Sequence, residues 1–122
     1  MTDIETTVDS YLDMWNEIDP LRRDDVINRT WTADARYVDP LLEAEGHGAL
    51  SEMVTGVQSQ FPGHRFRRTT DIDMHHDQVR FGWELAGPDG TVAVAGIDVG
   101  VVTDGKLRSI SGFFGDLAAV AS

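Results

Sequence analysis

From residue 64 to residue 114 the chain alternates apolar and polar side chains with few interruptions, and this long run of strand patterning follows three helical patterns. Nothing else in the sequence narrows the fold as much. Val79, Phe81, Trp83 and Leu85 alternate strictly, the period of a strand with one face on a core. Ahead of them Phe66, Thr70, Ile72 and Met74 alternate along 64–75, and His75-His76-Asp77-Gln78 reads as a connection. Behind them Gly87-Pro88-Asp89-Gly90 and Thr103-Asp104-Gly105-Lys106 are turns on either side of a strand over 91–102, and Leu107 to Phe114 makes the last strand. Helices first and an antiparallel meander afterwards predict an α+β domain, its helices packed on one face of a curled sheet.

The helical half is equally patterned. Thr2-Asp3-Ile4-Glu5 has the spacing of a capping box, and Ile4, Val8, Tyr11, Leu12 and Trp15 follow at helical period. Asp19-Pro20 reads as a cap with proline in the first turn. Leu21, Val26, Ile27, Thr30 and Trp31 then form an apolar face, and Arg22-Arg23-Asp24-Asp25 its solvated side. Leu41 to Gly48 reads as a loop. From Ala49 a third helix carries Leu50, Met53, Val54, Val57 and Phe61 on one stripe, and Pro62-Gly63 stops it.

At 122 residues the chain is expected to form a single domain, 1–122, large enough for a real core and an enclosed pocket. Its net charge of −11 argues against a nucleic-acid partner, since binding there depends on clustered Lys and Arg. The chain has no cysteine, which excludes disulfides, thiolate metal sites and cysteine nucleophiles. No stretch is long and apolar enough to span a bilayer, and Met1-Thr2-Asp3-Ile4-Glu5 does not open a signal sequence, so a soluble cytoplasmic protein is expected. His47, His64, His75 and His76 lack a second ligand at a spacing suited to zinc, and no glycine-rich phosphate loop is present; neither a metal nor a cofactor is expected.

Two carboxylates stand out. In Ala35-Arg36-Tyr37-Val38-Asp39-Pro40, residues two apart share a strand face, so Tyr37 and Asp39 sit side by side where Pro40 ends regular pairing. Asp39 is either a strand-end functional acid or a turn initiator. Val92 to Val102 is apolar on both faces except for Asp98, which predicts a doubly covered central strand. A desolvated acid neutralises or finds donors. Asp98 is therefore either a proton donor, with Gly96 and Gly100 leaving open space beside it, or a structural acid bonded to a nearby Tyr, Trp or backbone group.

An N-terminal helix with Tyr11, a strand ending in Asp39-Pro40, a central strand with Gly96-Ile97-Asp98 and a final strand closing in Phe113-Phe114-Gly115 together resemble the bacterial ketosteroid isomerases. Those enzymes belong to the cone-shaped nuclear transport factor 2-like (NTF2-like) superfamily, alongside the SnoaL-like polyketide cyclases. The resemblance implies a curled antiparallel sheet wrapped round helices, an apolar cavity for a small hydrophobic ligand or substrate, and a homodimer through the sheet. It implies Asp39 as general base, with Tyr11 and Asp98 as donors to a substrate carbonyl oxygen, Asp98 being kept protonated by its apolar site. Trp15, Trp31, Tyr37, Met53, Phe61, Phe81, Trp83 and Phe113 would supply the apolar wall.

Val54 stands where some isomerases carry a supporting tyrosine, and the stretch between Tyr11 and Asp39 is a few residues longer than theirs, features compatible with the broader SnoaL-like pattern. The same fold also hosts binding modules and epoxide hydrolases. The hydrolases use an Asp-Arg-Asp cluster in the cavity, whereas Arg80 here alternates with the apolar face and is expected to point away.

Overall fold

The computed structural model describes residues 3–117 and Val120; the expected Thr2 cap lies outside the described residues. Helix α1 (Asp3–Asn16) has Asp3 and Glu5 in its first turn, where the positive end of the helix dipole favours acids. Its buried stripe includes Val8, Tyr11, Leu12, Met14 and Trp15. Helix α2 (Pro20–Thr30) starts as the Asp-Pro pair dictates: the Asp19 side chain accepts the Leu21 amide and Pro20 occupies the first turn. Strand β1 (Trp31–Val38), strand β2 (Glu43–Glu45) and helix α3 (His47–Gln60) follow. The chain then runs through β3 (Arg65–Arg68), β4 (Asp73–His75), β5 (Gln78–Ala86), β6 (Val92–Thr103) and β7 (Lys106–Phe114).

The seven strands form one curved, unclosed sheet in the order β2-β1-β7-β6-β5-β3, with β4 also paired to β5. Side chains of all three helices meet the inward side chains of β1, β5 and β7 in one core, where Met14, Ile27, Trp31, Leu50, Leu107 and Ile110 are almost fully buried. Each such side chain contributes roughly 1.5–3 kcal/mol relative to exposure.

The α+β class expected from the patterning is the one observed; several local readings change. The sheet is mixed, because β1 pairs with β7 in parallel. Those strands are far apart in sequence, so the connection is long enough for a parallel partner. The run 64–75 divides into β3 and β4, since the Thr70 hydroxyl accepts the Gly82 amide at 2.8 Å in place of a ladder carbonyl. Strand β1 begins at Trp31 rather than Ala35, and the 41–48 segment contains β2 and the start of α3.

The face of α2 differs more. Leu21 is 78% exposed, whereas Arg23, expected on the solvated side, is 1% exposed. Its guanidinium donates to the Glu17 carbonyl, the Ser51 carbonyl and hydroxyl, the Thr55 hydroxyl and Gln58 Oε1, clamping the α1–α2 connection to α3. A long cation can be buried when its donors are this fully matched.

Strand β6 lies centrally between β5 and β7, but only one of its faces is covered. Ile97 on its outer face is 43% exposed, whereas the neighbouring inward Asp98 is 3% exposed. Nor is there open space beside Gly96 and Gly100. A side-chain carbon at Gly96 would lie 2.8 Å from the Trp83 ring, and one at Gly100 2.7 Å from Ile110 Cδ1.

Candidate active site

Strand alternation brings four polar side chains to one inward face. Asp98 in the middle of β6 is 3% exposed, and its carboxylate is held at both oxygens. The Tyr11 hydroxyl donates to Oδ2 at 2.7 Å, and the Trp83 indole N–H donates to Oδ1 at 3.0 Å. Tyr11 reaches it from α1, and its ring is set by edge-on contacts with Trp15, Trp31 and Phe81. Trp83 reaches it from the neighbouring strand, where it pairs with Gly96.

Asp39 lies just beyond β1. The Tyr37 hydroxyl donates to its Oδ2 at 2.6 Å, and the Leu41 and Leu42 amides donate to its Oδ1 at 2.8 Å each. The turn-initiating role is therefore filled, and Asp39 also lines the cavity. For Asp98 the structural alternative names the observed partners, a tyrosine and a tryptophan.

The electrostatics of the two sites differ. Burial pushes the Asp98 carboxyl up to about 7, against the lowering pull of the bonds from Tyr11 and Trp83, and the charge of Asp39 adds to the rise. Burial, then the Asp98 charge, holds the Tyr11 phenol well above its ordinary range. Tyr37 is raised in the same direction, first by burial and next by Asp98. Both tyrosines therefore remain donors at any ordinary pH.

Both acids open onto one cavity of about 270 Å³. Of the expected wall, Trp15, Tyr37, Phe61 and Trp83 line it together with Tyr11, Asp39 and Asp98. Trp31 and Phe81 do not; they stand behind Tyr11, where Trp31 donates its N–H to Met14 Sδ at 3.3 Å. Met53 packs against the core from α3, away from the cavity.

Phe113 is 59% exposed on the outer face, and Phe114 lines the cavity in its place. The cause is an irregularity opposite Val101 and Val102: Leu107 pairs with Val102 but Ser109 with Val101, so the inward parity that starts at Leu107 shifts by one residue and then runs through Ile110, Gly112 and Phe114. Leu12, Val57 and Leu85 were legible as stripe or strand neighbours of residues already singled out. Leu41, Leu42, Gln60, Phe66 and Val94 complete the wall, and they carry no distinguishing signal except that Phe66 alternates with its strand.

Arg80 points away from the cavity and pairs with Asp73 at 2.8 Å. Among the described residues no group of three His, Cys, Asp or Glu side chains could hold a metal ion, and no helix is long and apolar enough to cross a membrane.

Comparison with known proteins fits this architecture. Residues 8–110 match the model of the SnoaL-like domain. A SnoaL-like family protein from Agrobacterium tumefaciens, proposed to be an isomerase, is 35% identical with a TM-score of 0.88, over 95% of this chain and 100% of that one. A protein from Jannaschia sp. CCS1 proposed to be a SnoaL-like polyketide cyclase has a TM-score of 0.68 at 18% identity, over 88% of this chain and 84% of that one. A protein from Kribbella flavida proposed to be a ketosteroid isomerase has a TM-score of 0.66 at 15% identity, over 98% and 83%. The last two likenesses concern the fold alone. No curated protein matches. With a family model spanning most of its length and a solved relative at 35% identity, the chain belongs to the SnoaL-like family of NTF2-like folds.

Proposed function

We propose that the protein moves a proton next to the carbonyl of a small hydrophobic ketone, in the manner of an isomerase or a polyketide cyclase. The observation that carries this reading is the pairing of two unlike carboxylates on one apolar cavity: Asp39, held by three donors, and Asp98, pushed up to about 7. Asp39, with three donors around its carboxylate, is assigned as the base, and Asp98, which burial inclines to hold its proton, as the acid.

In the proposed step, Asp39 Oδ2 takes the proton from the carbon beside the carbonyl. The C–H electron pair moves into the new C=C bond, and the carbonyl π pair moves onto oxygen. Protonated Asp98 then donates to the Tyr11 oxygen, which frees the Tyr11 O–H to turn to the substrate oxygen as its charge grows. A fixed donor in a dry site stabilises that charge better than water does. Return of the proton from Asp39 to a different carbon completes an isomerisation; attack of the enolate carbon on a second carbonyl, whose π pair moves onto its oxygen and takes the proton back from Asp39, completes a cyclisation.

Deuterium uptake by a panel of bicyclic and tetracyclic ketones in heavy water, read by mass spectrometry, tests this without knowledge of the natural substrate. Uptake that survives Asp39→Asn unchanged would exclude Asp39 as base. A second reading, a binding module without chemistry, is favoured by one observation: both tyrosine hydroxyls are already engaged by carboxylates. Ligand binding without any uptake in the wild-type protein would select it.

We further propose that two copies pair through the outer sheet face, as the family resemblance implies. Ile97 and Phe113 are cross-strand neighbours there and both are exposed. A wild-type protein that sediments as a monomer would refute this.

A further inference from the structure

Two tyrosine–carboxylate pairs face one cavity, and their geometry is nearly the same. The Tyr11 hydroxyl donates to Asp98 Oδ2 at 2.7 Å, and the Tyr37 hydroxyl to Asp39 Oδ2 at 2.6 Å. All four residues line the cavity. The proposed step uses the Tyr11 hydroxyl and leaves the Tyr37 hydroxyl without a part.

The pairs are close together. A side-chain carbon at Gly112, which pairs with Asp98 in the sheet, would lie 2.9 Å from Asp98 Oδ1, 3.2 Å from Asp39 Cβ and 3.3 Å from the Tyr37 oxygen. The Tyr37 oxygen and Asp98 Oδ1 are therefore no more than 6.2 Å apart, with a side-chain-free strand position between the acids. That gap is closed to a ligand, so a substrate meets both pairs from the cavity. The electrostatics agree: the Asp98 charge opposes ionisation of both phenols, and Tyr37 opposes that of Tyr11. The Tyr37 ring is 3% exposed and packs edge-on against Trp15 at 5.5 Å. With the ring fixed, the hydroxyl hydrogen is the part left to turn.

We propose that Tyr37 is a second catalytic donor: when Asp39 takes the substrate proton, the hydrogen bond between them reverses, and the freed Tyr37 O–H turns to the substrate oxygen. This rests on the proton-transfer reading above and adds a residue to it. The order follows the charge. As base, Asp39 carries the charge before the step, and a hydroxyl bonds an ionised acceptor about twice as strongly as a neutral one. After the step Asp39 is neutral and has an O–H of its own to donate, while the charge lies on the enolate oxygen. Tyr37 keeps its proton throughout, since burial and the Asp98 charge hold its phenol above the ordinary range. Its hydrogen bond is thus withheld from the ketone and given to the enolate, the difference that lowers a barrier.

The experiment reads binding alone. Pentafluorophenol, largely ionised at about pH 6.5, stands in for the enolate and acetophenone for the ketone, at a pH below the Asp98 value of about 7. Asp39→Asn stands in for the protonated base, its side-chain N–H replacing the acid O–H opposite Tyr37. On that background, adding Tyr37→Phe is expected to lower the preference for phenolate over ketone about tenfold. A preference that changes less than threefold, or an Asp39→Asn chain that binds no phenolate, overturns the proposal.

If the double variant fails to fold, Asp39→Asn decides alone. The chain has two tyrosines, so a carbon-13 label at Cζ gives two phenol resonances, and both are expected to shift when the phenolate binds. A Tyr37 resonance that stays in place overturns the proposal equally. Neither measurement involves turnover, so loss of the Tyr37 contact and loss of proton transfer by Asp39 are separate results.

Discussion

Asp39 and Asp98 are the same side chain in two settings, and the contrast shows how strand position sets the donors that a carboxyl group can find. Asp39 sits past the end of a strand, half-buried, where turn amides and Tyr37 supply three donors to its carboxylate. Asp98 sits in mid-strand, buried, with two donors that do not outweigh the cost of desolvation. A strand end provides free amides; a strand interior has spent its amides on the ladder, so only side chains can serve the charge. Position along the strand therefore decides which donors each carboxyl group can recruit.

The largest expected effect is on proton transfer. Asp39→Asn removes the base, and deuterium uptake should fall by about 10²–10⁴. Asp98→Asn keeps the shape and removes the titration, and should cost about 10²–10³. If the two substitutions prove interchangeable in their pH profiles, the distinction between the acids is broken. In the wild type, uptake should decline as pH rises through about 7, where Asp98 loses its proton. That limb should vanish in Asp98→Asn and persist, at reduced rate, in Asp39→Asn.

Stability supplies the next test. Asp98 has a folded pKa raised to about 7, above the roughly 3.9 of an unfolded chain. The folded state thus binds the proton more tightly. The associated stability is fully present below about pH 4 and is lost as pH rises through about 7. Chemical denaturation of Asp98→Asn should match the wild type in its pH trend below 4, then gain on it by up to roughly 4 kcal/mol between pH 4 and pH 8. A gap that does not change over that window would show Asp98 to be solvated.

Smaller changes sharpen the contrast one donor at a time. Trp83→Phe removes a bond that lowers the Asp98 pKa, so the descending limb should move upward by about one unit, seen in a pH series of uptake rates. Tyr37→Phe removes a hydrogen bond to Asp39 and none to Asp98. It should lower stability by about 1 kcal/mol in a urea titration while leaving the Asp98 limb in place. A shifted limb in Tyr37→Phe would mean that the acids titrate as one coupled unit.

Much of this was legible in the chain. The Asp-Pro pairs announced a helix start at Asp19 and a strand end at Asp39, and the lone acid in an apolar run singled out Asp98. These are local signals, set by one residue and its immediate neighbours. Arg23 departs from its expected place because a charged run reads as solvent-facing, and no local rule reveals five acceptors gathered from the α1–α2 connection and α3. Phe114 takes the cavity position expected of Phe113 because the register shifts opposite Val101 and Val102, which alternation along β7 alone does not reveal.

By itself the sequence determined the α+β class, most element positions and the identity of the two acids, since periodicity, proline and isolated charge act within a few residues of chain. The tertiary structure alone decided that β1 joins β7 in parallel, that Tyr11 and Trp83 converge on Asp98, and that a side-chain-free strand position lies between the acids. Those are matters of register between strands and of burial by distant segments, and hydrogen bonds across 87 residues of chain leave no mark on local pattern.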